Sequence, residues 1–252
     1  MKNNKNIFLV LISCFVLVSC EKKDSAFPIE KRYWTVEDYE NAIQEIKYGT
    51  DSEEKTPKLS DPETKAIVEK LTDEENFNVV LDDNQLGLKH KNEVAQGFFN
   101  VWRDMMGIYS VMDRQDKYTY EMEHINCYKF GLGLQLKYFK LGNDNIIENA
   151  DDKNDSPTIS NVNSNINAMV SNYENYLDEI NTENALSENG RNAYAEGIDK
   201  YFSELLKLYP NANYSSMKTK IELMLIKTKS PSIVAALNKI KSLIPTVVEK
   251  KE

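Results

Sequence analysis

Apolar residues recur at steps of three and four along most of the chain, which is the spacing of one face of an α-helix. Near the start, Thr35-Val36-Glu37-Asp38 resembles a capping box with Asp in place of the usual Glu or Gln. An apolar face follows before Gly49: Tyr39, Ala42, Ile43 and Ile46. Ser60-Asp61-Pro62 then predicts a cap with proline at the first helical position, ahead of Ile67, Val68 and Leu71.

The strongest pattern begins near Asn92 and forms two apolar stripes on one helix. The first stripe comprises Val94, Phe98, Val101, Met105, Ile108 and Met112. The second stripe lies beside it and comprises Ala95, Phe99, Trp102, Met106 and Tyr109. Because the apolar arc is so wide, we expect this helix to be buried in the middle of the domain.

A second long helix is predicted from about Tyr118 to Leu141, after a tight connection over residues 113–117. Its apolar face comprises Tyr118, Met122, Ile125, Leu132, Leu136 and Phe139. Gly131 and Gly133 allow the close approach of a neighbour or a local break. The alternation through residues 130–136 also suits a strand, but the apolar pattern extends beyond strand length and favours a helix. The chain from Gly142 to Ser156 is expected to be a loop.

The C-terminal part adds further helices. Beyond Pro157 one helix has the seam Ile159, Val162, Ile166, Met169, Tyr173, Tyr176 and Ile180. The next helices run from Ser187 to Tyr209, from Tyr214 to Lys227, and from Ser230-Pro231 to Pro245. The sequence therefore predicts an all-α fold, an antiparallel bundle of about eight helices over residues 34–248, centred on the hairpin of residues 90–141.

A faint internal match exists at an offset of one hundred residues. Leu86, Asn92, Ala95, Gly97 and Tyr109 coincide in this way with Leu186, Asn192, Ala195, Gly197 and Tyr209. These identities could mark duplicated helical hairpins that pack as a pseudo-repeat. Two amphipathic helices of similar composition would also match by chance.

The first twenty residues have the layout of a secretory signal: Lys2 and Lys5, an apolar run from Ile7 to Val18, and Ser19 before Cys20. The run is shorter than the roughly 20 residues of a transmembrane helix. Leu17-Val18-Ser19-Cys20 resembles the lipobox of bacterial lipoproteins, which implies a signal peptide over residues 1–19 and a lipid on the Cys20 thiol. A secretory signal with a chance cysteine is the alternative. The resemblance implies membrane attachment through the lipid on Cys20.

Residues 20–33 are charged and contain Pro28, so they are predicted to be the lipidated N-terminus and a tether. The order Glu21-Lys22-Lys23-Asp24 loosely resembles the export tag with which some diderm bacteria send lipoproteins to the cell surface. The protein is therefore expected outside the cytoplasm. A periplasm-facing anchor and surface display both remain open.

The net charge of the chain limits its possible partners, and its cysteine count limits its possible disulfides. Loss of Lys2 and Lys5 leaves 29 basic and 40 acidic residues, a formal charge of −11. A surface of that sign repels nucleic acid and anionic lipid headgroups, so no nucleic-acid partner is expected. With Cys20 acylated, Cys127 is the remaining thiol of the mature chain and has no partner for an internal disulfide.

Glu121 and His124 form Glu-x-x-His, the spacing by which carboxylate-bridged di-iron bundles place two ligands on one helical face. Such bundles usually have a second copy, but Gly87 stands where a glutamate would precede His90. The chain contains no His-x-x-x-His or Cys-x-x-Cys zinc motif. The pair is a weak candidate for a metal site or for an envelope enzyme, and a charged surface is the alternative.

The expected loop near residues 143–157 concentrates carboxylates, of which Asp151, Asp152 and Asp155 are weak candidates for calcium. The segment lacks the glycine at the sixth place of a calcium loop, and Asn163 occupies the twelfth, where a bidentate glutamate is needed. A solvated polar loop is the alternative. No metal and no cofactor are assigned.

The sequence contains no Gly-x-Ser-x-Gly and no glycine-rich phosphate loop, and no catalytic residue is assigned. The many tyrosines could form a recognition surface, or lie half-buried at helix seams with their hydroxyls in water. The sequence favours a non-enzymatic, lipid-anchored envelope module with a structural role or an unidentified protein, glycan or small-molecule partner. An envelope enzyme or metal-binding bundle using Glu121 and His124 is the alternative.

Overall fold

The computed structural model describes residues 26–48, 56–115, 119–179 and 186–245. These residues form helices and no strand, which confirms the all-α bundle. The elements are α1 (Val36–Tyr48), α2 (Lys65–Leu71), α3 (Glu75–Leu81), α4 (Leu88–Gln115), α5 (Glu121–Glu148), α6 (Ser156–Glu179), α7 (Glu188–Gly197), a π-helical turn (Ile198–Phe202), α8 (Ser203–Leu208), α9 (Ser215–Lys227) and α10 (Pro231–Leu243). The predicted signal peptide and Cys20 lie outside the described residues, as do Tyr118 and Ile180.

The predicted capping box opens α1. Thr35 N donates to Asp38 Oδ2 at 2.9 Å, and Asp38 N donates to Thr35 Oγ1 at 3.3 Å. The two residues thereby satisfy each other's backbone N–H groups. The predicted apolar face is buried: Tyr39, Ala42, Ile43 and Ile46.

The second helix begins at Lys65, so the predicted start at Pro62 is wrong. The Asp61 carboxylate accepts hydrogen bonds from Glu63 N at 3.0 Å and from Thr64 Oγ1 at 2.9 Å. These bonds close a turn around the proline, because a short acidic side chain can bond to the backbone two residues on.

The apolar pattern did not predict α3, because seven residues are too few to show a helical period. One of its core positions is polar. The buried Asn76 accepts a hydrogen bond from Trp34 N at 2.7 Å and donates to the Tyr39 hydroxyl at 2.9 Å. Hydrogen bonds therefore hold α3 against α1 where a sequence pattern would look for an apolar side chain.

Of the predicted central hairpin of α4 and α5, α5 lies at the centre of the bundle, and α4 packs on one side of it. Along α4 one face is buried, comprising Ala95, Phe98, Val101, Met105 and Tyr109. Phe99, Trp102 and Met106 of the second stripe are half-buried, and the side chain of Met112 lies outside the described set. Every residue of α5 from 130 to 136 is buried, in a helix rather than a strand. The expectation that α4 lies in the middle is therefore wrong.

A glycine sets the approach of α4 to α5. A Cβ atom at Gly131 would overlap the indole of Trp102. Trp102 Nε1 donates to Cys127 O at 2.9 Å, so the indole lies directly on the α5 backbone. The close approach predicted from this glycine is confirmed.

The buried apolar residues of the described segments form two clusters that lie on different faces of α5. The N-terminal cluster combines residues of α1, α2, α3 and α4 with Cys127, Phe130 and Leu134 of α5. The C-terminal cluster combines residues of the elements from α6 through α10 with Ile125, Leu132 and Leu136 of α5. The middle of α5 is therefore where the two halves of the bundle meet.

The chain remains helical to Glu148, so the loop predicted from Gly142 is wrong over its first part. Asn143 is buried in this last stretch of α5. Its Oδ1 accepts a hydrogen bond from Asn165 Nδ2 at 2.8 Å, and its Nδ2 donates to the Tyr209 hydroxyl at 3.3 Å. Polar contacts thus pack the end of α5, and residues 149–155 make the connection.

The C-terminal helices match the predicted segments. Part of the predicted α6 seam is buried, comprising Met169, Tyr173 and Tyr176. Ile159, at the start of that seam, is exposed. The run from Glu188 to Leu208 is a continuous helical path with one π-helical turn, and it ends before Pro210. The last helix begins at Pro231, as predicted.

The internal match at an offset of one hundred residues is not accompanied by equivalent packing. Tyr109 is buried within α4 and donates to Pro57 O at 3.1 Å. Tyr209 instead lies beyond the end of α8 and is half-buried. The first segment is an uninterrupted helix, whereas the π-helical turn interrupts the second.

The prediction of a tether that extends to Tyr33 is wrong for the residues from Phe27 onward. Phe27 packs against the N-terminal core cluster. Pro28 is buried, and its carbonyl accepts a hydrogen bond from Trp34 Nε1 at 3.0 Å. The described residues from Phe27 onward therefore belong to the folded domain.

Many of the tyrosines are buried more deeply than either predicted role requires. Tyr173 donates to Leu132 O at 2.8 Å, and Tyr176 donates to Tyr194 O at 3.2 Å. Both rings are fully buried, so a main-chain carbonyl takes the place of water at the hydroxyl. These tyrosines form neither an exposed recognition surface nor a solvated seam.

Candidate functional site

A cleft of about 840 Å³ opens where α3, the start of α4, the middle of α5 and the π-helical turn with α8 meet. Five lysines line it: Lys91, Lys137, Lys140, Lys200 and Lys207. We call it the lysine cleft. Its volume lies in the range of roughly 300–1,000 Å³ that is typical of small-molecule sites.

The π-helical turn brings two adjacent side chains to one carboxylate of the cleft. Tyr201 Oη donates to Glu74 Oε1, and Lys200 Nζ lies 2.9 Å from the same oxygen. Lys200 Nζ also lies 4.4 Å from the centroid of the Tyr201 ring, in a cation–π contact. Single π-helical turns inside helices are frequent at functional sites.

Glu74 reaches α5 because Gly133 has no side chain. A Cβ atom at Gly133 would lie 2.9 Å from Glu74 Oε2 and 3.2 Å from Tyr201 Cε1. The Glu74 side chain keeps 26% of its surface exposed and forms part of the lining of the cleft. Burial first, and then the hydrogen bond to Glu74 and its charge, raise the pKa of Tyr201. The phenol therefore remains protonated and serves as a donor.

The lining of the lysine cleft is positively charged, although the chain is acidic. Four carboxylates face the five lysines, so the lining carries a formal charge of +1 in a chain of −9. Three of these carboxylates neutralise lysines: Asp82 with Lys137 at 2.5 Å, Asp144 with Lys140 at 2.5 Å, and Glu74 with Lys200 at 2.9 Å. Lys91, Lys207 and Glu204 have no ion-pair partner within the described part of the chain.

Leucine side chains supply the apolar part of the lining. Three of them are buried, namely Leu81, Leu136 and Leu141. Leu86 and Leu88 are half-buried, and Leu208 is 39% exposed. A molecule in the lysine cleft would therefore contact apolar surface and ammonium groups together.

The predicted residue Glu121 lies at the start of α5, about 18 Å along the helix from Gly133 by helical rise. It is 3% exposed, and its carboxylate accepts hydrogen bonds from Ser187 N at 2.6 Å and from Ser187 Oγ. A Cβ atom at Gly190 would overlap this carboxylate, so the glycine makes room for it. Glu121 therefore ties the start of α5 to the start of α7.

His124 lies one turn further along α5, with its ring centroid 5.2 Å from that of Tyr128. Among the described residues, no group of three or more His, Cys, Asp or Glu side chains is placed to hold a metal ion. The structure thus adds no further ligand beside Glu121 and His124. The neighbouring Glu123 is also buried, and it accepts a hydrogen bond from Leu59 N at 2.5 Å.

The aspartates considered for calcium organise the connection between α5 and α6. Asp151 and Asp152 are exposed, and Asp152 Oδ1 accepts a hydrogen bond from Asn154 N at 2.9 Å. Asp155 Oδ1 accepts one from Thr158 N at 2.7 Å, at the start of α6. The hydrogen bonds from Thr158 lower the pKa of Asp155. The carboxylates of Asp152 and Asp155 therefore act as local turn and cap groups.

Cys127 is fully buried in α5, where burial and then the charge of Glu123 raise the pKa of the thiol. A thiol in that environment behaves as a small core residue rather than as a nucleophile. Cys20, the predicted lipid-attachment residue, lies outside the described residues.

Sequence reasoning did not single out Glu74, Lys200 or Tyr201. Lys200 lies 126 positions from Glu74, and no motif links the two residues. Two signals were present in the sequence: the glycine at position 133, and the lysines at positions 137 and 140, about one turn apart in an acidic chain. Neither signal shows which carboxylate faces them.

No helix in the described segments is long and apolar enough to cross a membrane. Comparisons of the chain with protein families, with curated proteins and with solved structures found no match. The lysine cleft and its contacts are therefore the main guide to function.

Proposed function

We propose that the protein is a lipid-anchored envelope protein, that its helical domain is a binding module, and that the lysine cleft is its ligand site. One observation carries the proposal of a ligand site. Glu74, whose carboxylate is held by Tyr201 and Lys200 of the π-helical turn, keeps 26% of its side chain exposed in a cleft of about 840 Å³. Most of the wall consists of the packed helices α5 and α8 and the π-helical turn between α7 and α8, which position side chains more precisely than loops do.

The anchor part of the proposal rests on the lipobox resemblance at Cys20. Because Phe27 already packs on the domain, the chain between them could span at most roughly 25 Å. A lipid on Cys20 would therefore hold the domain close to the membrane surface. Such an anchor does not require a transmembrane helix.

The anchor is tested by comparing wild type with Cys20→Ala in the native host, by intact mass and membrane fractionation. We expect wild type in the membrane fraction with the added mass of a lipid. The variant should be released or left unprocessed. Recovery of both proteins as soluble, cleaved chains would refute the anchor.

The ligand site is tested with the mature chain carrying Cys20→Ala as a common background. Leu208→Trp places a large side chain in the cleft, and Leu223→Trp is the matched control on α9, where the leucine is 54% exposed. Thermal shift is used to screen a panel of amphiphiles, oligosaccharides and amino-acid derivatives. The panel includes anionic, neutral and cationic compounds. Binding to the folded state raises the melting temperature.

We expect at least one compound to raise the melting temperature of the background protein and of Leu223→Trp, but not of Leu208→Trp. If no compound does so, or if the shift persists in Leu208→Trp, the lysine cleft is not the ligand site. Circular dichroism of both variants checks that the helical content is unchanged.

The alternative of an enzyme or metal site at Glu121 and His124 has no comparable supporting observation. The Glu121 carboxylate is buried and hydrogen-bonded to Ser187. A change at Glu121 is therefore expected to alter stability first.

A further inference from the structure

We infer that the lysine cleft binds an amphipathic organic anion, namely a single acidic head group on an aliphatic body, as in a long-chain carboxylate. This inference rests on the binding role proposed above and specifies the ligand. Two features of the lining support it: the charge left after its internal ion pairs are counted, and the exposed leucine surface beside that charge.

The charge argument concerns the groups of the cleft that are not already paired. Lys91, at the start of α4, and Lys207, near the end of α8, have no ion-pair partner among the described residues. Among the described residues, Glu204 is the one lining carboxylate that likewise has no ion-pair partner. Two ammonium groups and one carboxylate leave one net positive charge. A ligand with one negative charge would bring the lining to neutrality.

The apolar argument concerns the leucines. Leu208 is 39% exposed although it lies in the concave lining of a folded domain, and the half-buried Leu86 and Leu88 line the same cleft. Covering such surface with an apolar body is favourable because water is released from both partners. No aromatic side chain of the described residues lines the cleft, so the lining offers carbon chains rather than a stacking platform.

The ligand class follows from the two features together. A small inorganic anion would satisfy the lysines but leave the leucines uncovered. A neutral lipid would cover the leucines but leave the net charge uncompensated. An amphipathic anion satisfies both, and the acidic remainder of the chain disfavours larger polyanions.

The test measures binding of three twelve-carbon probes by isothermal titration calorimetry below their critical micelle concentrations: dodecanoate, dodecan-1-ol and dodecyltrimethylammonium. The background is the mature chain with Cys20→Ala. Lys91→Gln/Lys207→Gln removes the two unpaired positive charges of the cleft. Lys153→Gln/Lys229→Gln is the matched control, because both lysines are exposed, lie outside the cleft and have no ion pair in the described part of the chain.

We expect dodecanoate to bind the background protein and the control variant with equal Kd, and the cleft variant about tenfold more weakly. The affinity should fall with added salt, because the attraction is partly electrostatic. Dodecan-1-ol and dodecyltrimethylammonium should bind more weakly than dodecanoate.

Two outcomes would overturn the inference while leaving the proposed function intact. In the first, dodecan-1-ol binds as tightly as dodecanoate, is blocked by Leu208→Trp, and is unaffected by the lysine changes. In the second, none of the three probes binds, but another compound of the thermal-shift panel is blocked by Leu208→Trp. If no probe and no panel compound binds, both the inference and the proposed ligand site fail.

Discussion

Glu121 and Glu74 occupy opposite kinds of environment in the same bundle. Glu121 is 3% exposed, and Ser187 donates to its carboxylate through both its backbone N–H and its hydroxyl. Glu74 accepts hydrogen bonds from Tyr201 and Lys200, yet its side chain keeps 26% of its surface exposed in the lysine cleft. The first carboxylate is enclosed within the fold, and the second can be reached from outside.

Both carboxylates depend on a glycine for space. Gly190 makes room for Glu121, and Gly133 makes room for Glu74. The spacing of Glu121 and His124 drew attention to the enclosed carboxylate, whereas no motif includes the accessible one. A sequence spacing thus shows which residues share a helical face, but it does not show whether that face is closed by another element.

The largest expected effect is that of Glu121→Ala. Removing the buried carboxylate takes the acceptor from Ser187 N and Oγ, which are themselves partly buried, so we expect the free energy of unfolding to fall by about 3 kcal/mol. Urea denaturation followed by circular dichroism measures the change. Glu121→Gln keeps one acceptor oxygen and should lose less. A loss below about 1 kcal/mol for Glu121→Ala would contradict the tie between α5 and α7.

Two glycine substitutions test how tightly Glu74 is held against α5. Gly107→Ala in α4 meets nothing within 4 Å, so it should stabilise the protein by about 1 kcal/mol through helix propensity. Gly133→Ala should instead destabilise it by about 1 kcal/mol, because the new Cβ displaces the Glu74 carboxylate. Thermal unfolding of the two variants shows whether the signs differ. The same sign for both would mean that the Glu74 contact is not held tightly against α5.

Glu74→Ala should cost about 1 kcal/mol, well below Glu121→Ala, because solvent screens a partly exposed ion pair. Tyr201→Phe removes the hydroxyl that donates a hydrogen bond to the Glu74 carboxylate. A double-mutant cycle of the two changes, measured by urea denaturation, should give a coupling energy of about 1 kcal/mol. If Glu74→Ala costs as much as Glu121→Ala, the distinction between an enclosed and an accessible carboxylate fails.

The smallest expected change in stability is that of a substitution at Asp38. Like Glu121, Asp38 lies in the first turn of a helix, but it is paired with the exposed Lys31. Burial acts to raise its pKa, but hydrogen bonds from Lys31 and Thr35 and the charge of Lys31 hold the pKa below its usual value. The resulting stabilisation is present above the unfolded-state pKa of about 3.9 and is lost as the pH falls through the lower pKa of the folded state.

Asp38→Asn should therefore lower the free energy of unfolding by about 0.5–1 kcal/mol at pH 7. The difference from wild type should shrink as the pH falls below about 4. Urea denaturation at pH 7, 4 and 3 measures it. Asn41→Asp, on the exposed side of α1, is a charge control that should not reproduce this dependence. A difference that stays constant with pH would show that the charge on Asp38 is not what stabilises α1.

Features that depend on residues within about one turn of the chain were predictable from the sequence alone. The capping box of Thr35 and Asp38, the helix starting at Pro231, and the end of the preceding helical run before Pro210 depend on neighbours only a few residues away. The all-α class follows in the same way, because helical periodicity is repeated in each long segment. The close approach at Gly131 was also predictable, although its partner Trp102 was not.

Which polar groups are enclosed and which remain accessible depends on how the helices pack against one another. Asn143 prolongs α5 because Asn165 and Tyr209 hydrogen-bond to it from other elements. The lysine cleft joins Glu74 to the π-helical turn across 126 positions, and its walls come from four parts of the chain. Local propensity cannot encode such contacts, because their free energy depends on the burial and charge that packing creates.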